Sequence, residues 1–152
     1  MKVGVVFPSR FEEPGEFLAD ARAMETAGVD SVWVEAQGDG LDPLLLLAAV
    51  AAVTSRLRLG LIAAGDGRGG GLDERSLATL QQLSRNRVVE PSSERWQPVD
   101  VPSDRDAWAT TLERAERNGA HGVLVAFDPR LLDILRHPDE AIDRPDLILA
   151  QG

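Results

Sequence analysis

Ala27-Gly28-Val29-Asp30-Ser31-Val32-Trp33-Val34 and Asn118-Gly119-Ala120-His121-Gly122-Val123-Leu124-Val125 are one pattern written twice. In each, a glycine able to take the left-handed conformation stops a helix. The apolar run after it suits a strand buried on both faces. Each copy is followed by Asp-Pro and a leucine-rich stretch, at Asp42-Pro43 and Asp128-Pro129. Aspartate at the N-cap and proline at the first helical position start a helix. Strands that alternate with helices pair in parallel through right-handed crossovers. The fold class is α/β.

Working outward, Val3 to Phe7 is a further buried strand closed by Pro8, and Phe17, Leu18, Ala21, Met24 and Ala27 mark one helical face over Glu16–Ala27. The helix Leu44–Val53 is apolar nearly all round and belongs deep in the structure. Leu57–Ala63 reads as a third strand and Asp73–Ser84 as a third helix. Arg87-Val88-Val89 is a candidate fourth strand. Pro91–Pro102 reads as an extended connector in which Trp96 and Val99-Asp100-Val101 suit an edge strand. Ser103 is placed as the cap of the next helix, with Asp106 completing an imperfect capping box and Trp108, Leu112 and Ala115 as its buried stripe. His121–Phe127 is a strand, a helix from Asp128-Pro129 stops near Arg136 before Pro138, and Leu147–Ala150 is a last short strand. Five to seven parallel strands follow from this reading. Eight are needed for a closed (β/α)8 barrel, which typically takes about 250 residues, so the expected architecture is an incomplete barrel.

Composition narrows the function classes. The chain has 152 residues, with 16 Lys+Arg against 25 Asp+Glu and a net charge of −9. That length suits a single domain over 1–152. The acidic balance argues against nucleic acid or an anionic membrane as partner. With no cysteine there is no disulfide, thiolate metal site or cysteine nucleophile. Met1 leads straight into a strand with no signal-type apolar region, and the longest apolar run, Leu44 to Val53, is too short to span a bilayer. The expectation is a cytoplasmic protein.

Four blocks, in order, resemble the luciferase-like monooxygenase family of flavin- or F420-dependent oxidoreductases: Ala27–Val34, Asp42-Pro43-Leu44, Thr54-Ser55-Arg56-Leu57-Arg58-Leu59-Gly60 and Ala78–Ser84. The match is best over residues 1–90; 91–102 is the connector, and 103–152 is similar only as generic αβ units. The resemblance implies a barrel-derived fold with FMN or F420 as cofactor. It implies that Phe7, Gln37 and the Ala63-Ala64 turn line the cofactor ring. Where the family often carries a histidine at the end of strand two, this chain reads Glu35-Ala36-Gln37.

Read without the resemblance, those positions are ordinary loop residues beyond strand ends, which is where barrels place their chemistry. The same region includes Phe7–Arg10, Glu35–Asp39, Ala63–Arg68, Glu90 and Asp128. Gly65–Gly71 satisfies the wording of a dinucleotide fingerprint, with Arg68 as a phosphate contact, although so many glycines also describe a plain flexible loop. Glu35 and Asp39 have no partner histidine, and His121 and His137 lack metal-like spacing. Micromolar affinity needs about 8 kcal/mol. A helix N-terminus offers up to about 2 kcal/mol and a charged hydrogen bond about 1.5–3, so ring burial or a second subunit must supply the rest. An incomplete barrel exposes strand edges, so a homodimer is expected, with Trp96 as an interface anchor. Two readings follow: a shortened oxidoreductase acting on a small-molecule substrate, or a non-catalytic dimeric binding protein that keeps the fold without the cofactor.

Overall fold

Strands and helices alternate strictly: β1 (Lys2–Phe7), α1 (Pro14–Thr26), β2 (Ser31–Glu35), α2 (Pro43–Val53), β3 (Arg58–Ile62), α3 (Glu74–Leu83), β4 (Trp96–Val99), α4 (Arg105–Arg117), β5 (Gly122–Ala126) and α5 (Pro129–Arg136). This is a computed structural model that describes residues 1–36, 40–63, 73–90 and 93–136. The glycine-rich loop and the expected strand Leu147–Ala150 lie outside the described residues. Both copies of the repeated pattern behave as read. Gly28 and Gly119 have φ of 85° and 77°, and each precedes a buried strand.

The five strands form one all-parallel sheet in the order β3-β2-β1-β5-β4. This is the cyclic order of a barrel: every neighbouring pair is consecutive in sequence or joins the first strand to the last. The missing pair is β3 with β4, and that seam leaves the barrel incomplete. Val88 covers part of the β3 edge with a single parallel bridge to Leu59, so Arg87-Val88-Val89 makes one bridge rather than a full strand. Trp96–Val99 inside the connector is a true edge strand, with Pro98 placed where an edge tolerates proline. The cap of α4 is Asp104, whose carboxylate accepts from the Ala107 N–H at 2.7 Å, and not Ser103.

Stepping in one direction through right-handed crossovers puts every helix on one face. The core confirms this. Val5, Phe7, Val32, Val34, Leu59, Val123 and Val125 pack in a single cluster with buried residues of all five helices, from Phe17 on α1 to Ile134 on α5. The alternate residues point to the concave face, and two tryptophans dominate it. The Trp33 ring lies so close over Gly60 that a Cβ there would meet it at 2.1 Å, and one at Gly4 would meet its Nε1 at 2.6 Å. Trp96 covers Gly122 in the same way, at 2.3 Å. The two indoles meet edge to face with centroids 5.2 Å apart, and Trp33 Nε1 donates to Ser31 Oγ at 2.8 Å. Trp96 is thus half-buried, with its ring packed on Gly122 and Trp33.

Polar contacts close the end of the barrel from which the strands start. Arg58 at the start of β3 reaches Glu94 at 3.0 Å and Asp30 at 2.7 Å, and Lys2 of β1 also pairs with Glu94. The Arg58–Glu94 contact spans the seam that hydrogen bonding leaves open. Nearby, the Glu25 carboxylate accepts the N–H groups of Ser55, Arg56 and Leu57. Arg87 donates to the carbonyls of Ala51, Thr54, Leu57 and Ser84.

Two outcomes test this packing. Gly60→Ala drives a methyl into the Trp33 ring, and overpacking of this kind costs about 1–3 kcal/mol or more; urea denaturation should show a clearly lower midpoint, and an unchanged one would contradict the stacking. Hydrogen bonds from Arg58 and Lys2 hold the Glu94 carboxyl at about 2, below its ordinary 4.5. A carboxyl depressed on folding adds stability above its unfolded value that is lost as pH falls through the folded one. Glu94→Gln should therefore flatten the acid dependence of stability between about pH 4.5 and 2, measured by unfolding at stepped pH.

Candidate functional site

Helices that follow parallel strands begin at the strands' carboxyl ends, so the loops there form a mouth. At this mouth a cleft of about 490 Å3 lies between the Val6–Arg10 segment and Ala126-Phe127, with Glu35 on its third side. That volume is within the roughly 300–1,000 Å3 of small-molecule sites. Strand alternation puts Val6, Glu35 and Ala126 on the concave face: Val6 pairs in register with both Trp33 and Ala126, and Glu35 lies two residues beyond Trp33 on β2. A ligand here lies across the mouth, because the tryptophans fill the space beneath. The loop entering α2 is tied to the rim, where the Leu41 N–H donates to the Ser9 carbonyl at 3.2 Å.

Phe7 separates this cleft from a second depression of about 490 Å3 on the helix side, beside Phe11, Phe17 and Asp20. All four phenylalanines of the chain gather here: Phe7 stacks on Phe127 at 4.8 Å and meets Phe17 edge-on at 5.5 Å, while Phe11 stacks on Phe17 at 4.6 Å. Burial, with a smaller contribution from Glu16, pushes the Asp20 carboxyl up.

Of the residues that the family resemblance and the glycine-rich motif pointed to, Phe7 is among the cleft's lining residues, but it is only 2% exposed and packs into the helix-side core. Ala63 is exposed one residue beyond β3 and is not among the cleft's lining residues. Gln37, Ala64 and Arg68 lie outside the described residues. Ser9 and Arg10, read from the sequence as strand-end loop residues, and Glu35, weighed there with Asp39 as a carboxylate pair, all line the cleft. Ala126 and Phe127 were missed. The repeated pattern held the signal, since β5 is the counterpart of β2 and its end must reach the same mouth.

Electrostatics at the mouth come from the helix caps. Each of the five helices starts on a carboxylate that accepts its own backbone N–H groups: Glu13 from Gly15, Asp42 from Leu44 and Leu45, Asp73 from Arg75, Asp104 from Ala107 and Asp128 from Arg130. Hydrogen bonds from the Arg130 side chain, and then from its backbone N–H, hold the Asp128 carboxyl below the usual carboxylate range. Barrels often hold a ligand's phosphate in the loops after the last two strands, which by ring order are β4 and β5 here. The fit to a flavin or deazaflavin cofactor therefore divides: the cleft suits a planar ring, while the usual phosphate end presents Asp104 and Asp128.

Among the described residues no group of three or more His, Asp or Glu is placed to hold a metal ion, and no helix is long and apolar enough to cross a membrane. Residues 1–90 match the family model for luciferase-like monooxygenases. None of the curated proteins matches the chain.

Proposed function

This chain belongs to the luciferase-like monooxygenase family, and from that premise we propose that it is a shortened oxidoreductase of that lineage, seating the ring of a flavin or of F420 across the mouth cleft. The observation that carries this is the cleft itself: ring-sized, at the strands' carboxyl ends, and open above a filled interior. In this reading Phe127, backed by the buried Phe7, forms an apolar wall that excludes water from one side of the ring. Glu35 and Arg10 supply the charged groups of the rim. Gln37, Ala63, Ala64 and Arg68 are the further cofactor contacts that the family resemblance and the glycine-rich motif imply. A bound flavin or deazaflavin would supply two-electron transfer to a small-molecule substrate; the chain's part is to bind the ring, orient it and shield it.

A second reading is a binding protein of the same lineage without redox activity. Two observations favour it: Glu35 stands where the family often has histidine, and the helix N-termini are already occupied by carboxylates. Titration of the purified protein with FMN and with F420, followed by visible absorbance, separates the two. Saturable binding is expected; its absence with both would end the oxidoreductase reading.

We further propose a homodimer, as one domain over 1–152 working in the cytoplasm. Its interface in this reading is the outer face of α2, a helix with no polar side chain. Leu45 is 69% exposed there, and Leu83 at the end of α3 is 67% exposed. Paired across a twofold axis, such faces remove apolar surface from water. Light scattering should give a dimer at micromolar concentration and a monomer for Leu45→Asp; a wild-type monomer would refute it.

A further inference from the structure

We infer that the helix-side depression beside Phe11 and Phe17 is a binding site for a small organic cation, a primary ammonium carried on an apolar body. This site does not depend on the ring seat proposed above, from which Phe7 separates it. Its floor is aromatic and aliphatic. Phe7 and Phe17 are buried beneath it, while Phe11, Phe127 and Leu132 line it and stay partly exposed. At about 490 Å3 the cavity is of small-molecule size. Such a floor gains from covering by hydrocarbon, and the rim decides what charge the occupant carries.

Every ionisable side chain lining the cavity is a carboxylate: Glu12, Glu13, Glu16 and Asp20, with no Lys, Arg or His beside them. Two of these have a structural duty. Glu13 caps α1 by accepting the Gly15 N–H at 3.2 Å, and Glu16 in the first turn complements the helix dipole. Asp20 has no such duty. It stands four residues beyond Glu16, a like-charge spacing that destabilises a helix, and it is half-buried against the apolar floor. Among the described residues Glu12, Glu16 and Asp20 have no hydrogen-bond or ion-pair partner. An ammonium between Glu16 and Asp20 relieves their repulsion and donates charge-assisted hydrogen bonds to both. The phenylalanine rings add cation–π attraction. A neutral head gains neither, and an anionic head is repelled. A lysine side chain from a partner protein brings the same head on a thin stem that leaves most of the floor uncovered, so a free amine with a bulky body fits better.

Calorimetric titration of the full-length protein compares phenylbutylammonium, phenylbutanol and phenylbutyrate, one body with a positive, a neutral and a negative head. The ammonium should bind about tenfold more tightly than the alcohol, and the carboxylate should not saturate. Glu16→Gln with Asp20→Asn removes a like-charge pair and so spares the fold. In that variant the ammonium should bind no better than the alcohol, whose own affinity stays unchanged. Phe11→Ala should weaken both. An ammonium preference below about threefold, or one that survives the double substitution, overturns the inference, as does saturation by none of the three. Acetyl-lysine amide binding as tightly as phenylbutylammonium would overturn the free amine as occupant in favour of a polypeptide lysine.

Discussion

The Trp33 indole lying flat on Gly60 and Gly4 sets the terms for the rest of the molecule. Five parallel strands curled around helices on one side enclose too little space for an ordinary barrel interior of stacked branched side chains. One large ring, placed where its register partner Gly60 and the nearby Gly4 carry no Cβ, fills that space in a single layer. Trp96 over Gly122 extends the layer to the far strand and brings β2 and β4 into contact across β1 and β5. The glycines are fixed by this close approach and not by backbone conformation. Because the plug sits at mid-height, the space left for a ligand is the rim above it.

Charge is arranged to match. Where the strands start, Lys2, Arg58, Asp30 and Glu94 pair with one another, and that pairing carries the barrel across its open seam. Where the strands end, a carboxylate opens every helix. An acidic cap satisfies orphan N–H groups and complements the helix dipole, so each is locally stabilising. Collectively they set five carboxylates at the helix starts, five local solutions to one folding problem.

The sequence made the elements legible because their signals are local. Gly28 and Gly119 marked helix ends, and Asp42-Pro43 and Asp128-Pro129 marked helix starts. The alternation of types led to parallel pairing. Ring order was not legible: that β5 would pair with β1 depends on long-range register, which no window around His121–Phe127 contains. The contact of Trp96 with Trp33 was not legible for the same reason, since that partner is remote in sequence. The resembling block Thr54–Gly60 turns out to be held by Glu25 and Arg87 at the end of the barrel opposite the mouth. Its pattern reports on fold more than on chemistry.

That distribution bears on what a short barrel can keep. The seam lies between β3 and β4, while the cleft lies between the ends of β1 and β5, the first and last strands of the ring. Strands absent from the middle of the ring remove wall on the side of the seam and leave the first–last junction intact. Phe7, Arg10, Ala126 and Phe127 come from that junction, so the near wall of the site needs only the pairing of β1 with β5, which the register Val3↔Val123 through Val6↔Ala126 supplies. The far wall lies toward the seam, where among the described residues β3 has only the Val88 bridge beyond β2. A molecule built this way keeps its first–last junction whole while it loses wall at the seam.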